Sequence, residues 1–279
     1  MGRPVVALGG SDLVGAGTGM TIASDLEVVE AGSGPTLGLL HGMLGTPASS
    51  ALVAALARTH RVIAPNLPGF GRSTAREHRT FYDWVWTLSE VIDRVGLAGK
   101  PVVASSVGAM LATDLATVRP DAFERLVLLA PLGLWVDTAP IHDVWSERTP
   151  RQPAWLVGDV ATLAPFFDDD PHATPDERTE AELRRYRTRR SAASIMWPIP
   201  ERGLCDRIHR LQRPVHVVWG GRDRLAPAEV YGPLWQRLLP VCTGLTLLDT
   251  AGHLLEWDAP NDTAATVLDA LAAMAGTVD

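Results

Sequence analysis

The stretch Val102-Val103-Ala104-Ser105-Ser106-Val107-Gly108 decides the fold. Its first residues read as a buried strand and the segment 109–116 beyond it as helix-forming, so Ser106 falls on the sharp turn between the two. A serine on such a turn is held in a strained conformation that lifts its hydroxyl above a sheet, and this is tolerable only if the residues two before and two after are small. Ala104 and Gly108 meet that demand. The same kind of string also marks ordinary loops, so its chemistry depends on whether a base and an orienting acid occur elsewhere in the chain.

Outward from the turn, short runs rich in Val, Leu and Ile at 37–40, 62–64, 126–130, 215–219 and 245–248 alternate with segments of helical period. That alternation is the pattern of βαβ units in a mostly parallel sheet, and strands apolar on both sides imply helices on both faces. The clearest helix spans about 81–95, with Phe81, Trp84, Val85, Leu88, Val91, Ile92 and Val95 on one face, Thr80 as N-cap and Gly96 as its stop. A last helix near 261–275 repeats the pattern with Ala264, Val267, Leu268, Leu271 and Met274. Between 132 and 200 the strand signal disappears, and prolines and tryptophans punctuate short helical stretches such as 179–190. No Gly/Ser or charged linker flanks this segment, so it is expected to pack on the core as a helical insertion.

Both partners a serine needs appear downstream. Asp223 follows the strand at 215–219 within Gly220-Gly221-Arg222-Asp223-Arg224, and His253 follows the strand at 245–248 within Thr250-Ala251-Gly252-His253. Strand ends of an open parallel sheet gather at one edge where ligands bind, which brings nucleophile, orienting acid and base together. His41-Gly42-Met43 follows the strand at 37–40, where glycine lets a backbone N–H approach a developing oxyanion. The N–H of Val107 completes a two-donor hole.

With these features in place, the sequence resembles the α/β-hydrolase family in its capped form, from about Asp25 to the C-terminus. The matching strings are His41-Gly42-Met43-Leu44-Gly45, Ala64-Pro65-Asn66-Leu67-Pro68-Gly69-Phe70-Gly71-Arg72-Ser73, the Ser106 elbow, the Asp223 loop and Gly252-His253. The chain departs from the usual pattern at Ala104 and Ala109, where glycine is common, and at Asn66, where aspartate is common. The resemblance implies an α/β fold: a mostly parallel eight-stranded sheet with helices on both faces and a helical cap inserted after strand six. It implies a core of 25–131 and 201–279, a cap of 132–200, a triad of Ser106, Asp223 and His253, and oxyanion donors at Met43 and Val107. Asp137 is the alternative acid, because some members of the fold supply it from that position. His41 is expected to prop the oxyanion loop by hydrogen bonding. Trp135, Trp145, Trp155 and Trp197 are expected to pack the cap onto the core, with one or two of them lining an apolar substrate pocket above Ser106.

The rest of the 279 residues bounds the reading. Apolar residues make up 46% and charged residues 20%, which excludes disorder and coiled coil. The net charge of −7 carries no basic surface for nucleic acid. The apolar run at 126–136 is broken by Pro131 and Gly133 and is too short for a membrane span, and the first twenty residues lack a signal-like apolar core, so a cytoplasmic protein is expected. Residues 1–24, with Gly15, Gly17 and Gly19, read as a mobile leader. Cys205 and Cys242 read as buried reduced thiols; Asp168, Asp169, Asp170 and His172 as a solvated acidic turn with no metal; Arg184, Arg185, Arg187, Arg189 and Arg190 as an exposed helix face. The expectation is a serine hydrolase without metal or organic cofactor, acting through an acyl-enzyme on a small, largely apolar carbonyl substrate (ester, lactone or the C–C bond of a diketone). Acyl transfer, cyclisation, elimination or a slow-turnover ligand receptor on the same site are the alternatives, and a homo-oligomer is left open.

Overall fold

The computed structural model describes residues 19–23, 25–167, 172–197, 199 and 201–275. Eight strands form one sheet: β1 (Gly19–Ala23), β2 (Leu26–Ala31), β3 (Thr36–Leu40), β4 (Arg61–Pro65), β5 (Lys100–Ser105), β6 (Phe123–Leu129), β7 (Val215–Gly220) and β8 (Cys242–Leu248). Their spatial order is β1-β2-β4-β3-β5-β6-β7-β8. Strands β1, β2 and β4 pair antiparallel, and every pair from β4 through β3 to β8 is parallel. The six runs read from the pattern match the strands β3 to β8, the one at 126–130 running one residue past the end of β6.

The leader is where expectation and structure part. Gly19–Ala23 pairs residue for residue with β2, from Gly19 opposite Glu30 to Ala23 opposite Leu26, so an antiparallel ladder extends the sheet edge where a mobile segment was expected. Gly15 and Gly17 lie outside the described residues, as do Asp168, Asp169 and Asp170.

The helices are α1 (Ala51–Leu56), α2 (Phe81–Arg94), α3 (Ser106–Val118), α4 (Pro153–Leu156), α5 (Ala164–Phe167), α6 (Pro175–Met196), α7 (Leu204–Arg207), α8 (Ala228–Leu238), α9 (Leu255–Asp258) and α10 (Pro260–Ala275); α1, α3, α8 and α10 pack on strands, α2 packs on α3, and α6 on α2 and α3. α2 begins at Thr80 with a full capping box, the Thr80 hydroxyl accepting from Asp83 N–H and the Asp83 carboxylate accepting from Thr80 N–H. Such a cap contributes about 1 kcal/mol. It ends before Gly96, whose φ of +73° suits glycine. Trp84, Val85, Leu88, Val91 and Ile92 are buried, as the periodicity requires.

Among the described residues of 130–214 there is no strand. This segment carries α4 to α7, and α6 is longer than the stretch 179–190 because Thr174-Pro175-Asp176-Glu177 starts it with its own capping box. Cys205 is exposed and Cys242 half-buried, both as free thiols, so the expectation of two buried thiols fails at Cys205. No helix among the described residues is long and apolar enough to cross a membrane.

Candidate active site

β5 runs straight into α3, and the turn falls at Ser106, which takes φ = +51°. A non-glycine residue at positive φ is strained, and here the surrounding packing enforces it. Gly108 explains part of the enforcement: a Cβ added there would sit 2.4 Å from the His41 carbonyl oxygen. Helix α3 therefore approaches the end of β3 as closely as it does only because residue 108 has no side chain.

Three loops deliver the remaining groups to the same edge. Ser106 Oγ lies 2.8 Å from His253 Nε2, and His253 Nδ1 lies 2.7 Å from Asp223 Oδ2. With Nδ1–H donating to the carboxylate, Nε2 is left to accept from the serine hydroxyl. Asp223 is itself anchored: Oδ1 accepts from the N–H groups of Leu225 and Ala226, both at 2.9 Å, and Oδ2 accepts from Trp219 Nε1 at 2.9 Å. The three sequence-predicted residues are thus brought together. Asp137 is not among them; it is exposed and accepts from Trp135 Nε1.

The loop after β3 is held from below. His41 Nδ1–H donates to the Gly42 carbonyl at 2.7 Å, and its Nε2 accepts from Leu67 N–H at 3.0 Å, so both ring nitrogens are committed to backbone. Burial pushes the imidazole down to about 4, which keeps it neutral. Asn66, wholly buried, ties the same loop to β2: its Oδ1 accepts from Thr46 N–H, and its Nδ2 donates to the Thr46 carbonyl and the Glu27 carboxylate. Met43 and Val107 are buried at the site. Val107 is the second residue of α3, so its N–H belongs to the first turn, which has no intrahelical acceptor.

Sequence reasoning missed Glu256. Both of its carboxyl oxygens lie 2.9 Å from Ser105 Oγ, and a Cβ on Gly42 would come within 2.8 Å of Oε1. Ser105 is 151 positions away in the chain and Gly42 farther still, so no local pattern signals it. Ser105, Glu256 and His41 line a cavity of about 280 Å³ whose other walls include Phe166 and Trp257.

None of the four tryptophans at 135, 145, 155 and 197 lines that cavity. Trp155 stacks on His142, Trp145 donates to the Met196 sulfur, and Trp197 is 61% exposed. Ser106 and His253 have no accessible surface. The segment 156–159 closes over the histidine loop: Leu254 N–H donates to the Leu156 carbonyl, and the Asp258 carboxylate accepts from the N–H groups of Gly158, Asp159 and Gly252.

The signature of the alpha/beta hydrolase family matches residues 39–266. The chain belongs to that family. This hydrolase is 27% identical over 260 residues to the 2-hydroxy-6-oxo-2,4-heptadienoate hydrolase of Pseudomonas putida, spanning 85% of this chain and 90% of that protein. It is 28% identical over 244 residues to the pimeloyl-[acyl-carrier protein] methyl ester esterase of Aeromonas hydrophila, spanning 82% of this chain and 92% of the esterase. Its fold is shared with a meta-cleavage product hydrolase from Pseudomonas fluorescens IP01, at a TM-score of 0.67 and 19% identity over 89% of this chain and 94% of that one.

Proposed function

We propose that this enzyme is a serine hydrolase of small, largely apolar carbonyl compounds, with Ser106 as nucleophile, His253 as general base and acid, and Asp223 as the orienting acid. The observation that carries the reading is the unbroken relay from Ser106 Oγ through the imidazole to a carboxylate that three further donors fix in place. Ser106 Oγ attacks the carbonyl carbon while its proton passes to His253 Nε2. The carbonyl oxygen becomes an oxyanion and takes hydrogen bonds from the N–H groups of Met43 and Val107. The bond to the leaving group breaks as Nε2–H returns the proton to it, leaving an acyl ester on Ser106. Water then gives a proton to Nε2 as it attacks the acyl carbon, and Nε2–H returns that proton to Ser106 Oγ as the carboxylic acid leaves.

The relatives named for a heptadienoate and for a methyl ester support an ester, a lactone or the C–C bond of a diketone as the bond broken. Residues 132–200 act as a cap over the core of 25–131 and 201–279. Because Ser106 has no accessible surface, substrate entry requires that cap to open. The function is tested by an ester panel with the wild-type enzyme and Ser106→Ala, where only the former is expected to turn over.

A further inference from the structure

The turn after β3 is anchored from the loop that follows β4. At its start, His41 donates to the Gly42 carbonyl and accepts from Leu67 N–H. At its end, Asn66 closes a reciprocal pair with Thr46: Oδ1 accepts from Thr46 N–H at 2.8 Å, and Nδ2 donates to the Thr46 carbonyl at 2.9 Å. Met43 lies between the two anchors. Inside the turn, Gly45 N–H reaches the Gly42 carbonyl at 3.4 Å, beyond the ordinary range, so the anchors hold a turn whose own bonding is weak.

A further contact of Asn66 reaches β2. Its Nδ2 also donates to Glu27 Oε2 at 2.8 Å, and the same oxygen accepts from Arg72 N–H at 2.8 Å. A closed ring of bonds fixes the two residues against each other: Asn66 N–H donates to the Glu27 carbonyl, Glu27 N–H to Ser73 Oγ, and the Ser73 hydroxyl to the Asn66 carbonyl. Two glycines at positive φ leave room for the pair. A Cβ on Gly71 (φ +54°) would overlap Glu27 Oε2 and lie 2.7 Å from Asn66 Nδ2, and one on Gly45 (φ +79°) would lie 3.0 Å from Asn66 Oδ1.

The donor count decides what residue 66 must be. Both N–H bonds of its Nδ2 are used, one on the Thr46 carbonyl and one on the Glu27 carboxylate, while Oδ1 takes Thr46 N–H. At this length only an amide accepts on one atom and donates twice from the other. Aspartate has the same shape but would set an oxygen against two acceptors, one of them a carboxylate. Asn66 is wholly buried and Glu27 is 6% exposed, so water does not relieve the mismatch.

We propose that Glu27 is a positioning residue for the oxyanion loop, acting through the Asn66 amide on Thr46 and so on the turn that carries Met43, and that Glu27 is what obliges position 66 to be an amide. The hydrogen bonds of the two side chains go to the loops and not to Ser106 or His253. The proposal rests on the serine-hydrolase reading above.

The test is a double-mutant cycle on kcat and KM for p-nitrophenyl butyrate, with inhibition by a trifluoromethyl ketone, whose adduct with a serine carries an oxyanion, as the second readout. Asn66→Asp is expected to lower kcat by ~100-fold, the scale of one lost oxyanion donor, to weaken the ketone by a similar factor and to leave KM within about threefold. Glu27→Gln removes the charge and supplies an amide from the other side. Added to Asn66→Asp, it is expected to restore kcat by ~10-fold or more, whereas beside the native Asn66 it brings no gain. A double variant no faster than Asn66→Asp would overturn the pair. A purely structural role would lower the denaturation midpoint and leave kcat and the potency of the ketone alone in the folded protein, which would overturn it equally. Should Asn66→Asp fail to fold, Glu27→Leu against Glu27→Gln carries the test. The leucine variant loses the acceptor that the glutamine variant keeps and is expected to be slower by ~10-fold at unchanged KM, and equal rates would contradict the proposal. Ser106→Ala is run beside the wild type throughout. Turnover that is absent in the wild type, or that survives Ser106→Ala, removes the hydrolase reading itself; turnover lost in Ser106→Ala with positions 27 and 66 uncoupled removes the positioning role alone.

Discussion

Gly108 and His41 meet so closely that the missing Cβ of the first would lie 2.4 Å from the carbonyl oxygen of the second. The contact joins the helix that begins at Ser106 to the loop that follows β3, and it fixes their separation by backbone rather than by side-chain packing. Because backbone on both sides has nowhere to move, Gly108→Ala is expected to destabilise the fold by about 2 kcal/mol or more and to cut turnover through displacement of the oxyanion loop. Chemical denaturation and steady-state kinetics check both. A variant as stable and as active as the wild type would show that the contact is not limiting.

Asp223 rather than Asp137 is assigned as the orienting acid because only Asp223 bonds to His253. Asp223→Asn is expected to lower kcat by ~10,000-fold by favouring the wrong imidazole tautomer. Asp137→Asn, which alters an exposed contact with Trp135, is expected to leave kcat within about a factor of two. An ester assay on the two variants separates the assignments.

His41 makes stability depend on pH. Its pKa is about 4 in the folded enzyme against an ordinary 6.5, so between those values the unfolded chain binds more protons than the folded one, and stability rises with pH across the window. The stabilisation is fully present above about 6.5 and is lost as pH falls towards 4, amounting to roughly 3 kcal/mol. Denaturation curves across the window should show the slope in the wild type and its reduction in His41→Gln. An unchanged slope would remove the buried neutral imidazole from the account.

How much of this was legible in the sequence depends on how local each signal is. The elbow at Ser106, the cap at Thr80 and the six apolar strands β3 to β8 announce themselves within a few residues of chain. β2 is apolar but interrupted by Glu27 and Glu30, and its neighbour β1 lies in a glycine-rich start, so neither strand is legible in the sequence. Asn66 and Glu27 brace the loop after β3 through bonds that span 20 to 46 positions, and these emerge only once β2 and β4 are paired. The tryptophans at 135, 145, 155 and 197 have the opposite history: their abundance is obvious, yet their partners, such as His142 for Trp155 and Met196 for Trp145, are set by packing that periodicity does not encode.

Asp258 clamps the segment over the histidine loop through three amides. Hydrogen bonds to a charged acceptor contribute about 1.5 to 3 kcal/mol each, so Asp258→Ala is expected to speed amide exchange at 158, 159 and 252 by ~10-fold or more. Exchange mass spectrometry reads this directly. Unchanged protection there would mean that the clamp is not what holds the segment down.

The most direct measurement of the central claim is peptide mapping by mass spectrometry after treatment with a fluorophosphonate. The account predicts a single adduct on the peptide carrying Ser106, formed in the wild type and absent in Ser106→Ala, with labelling slowed sharply in His253→Ala. An adduct on another residue, or a wild-type enzyme that hydrolyses esters while Ser106 stays unmodified, would contradict it.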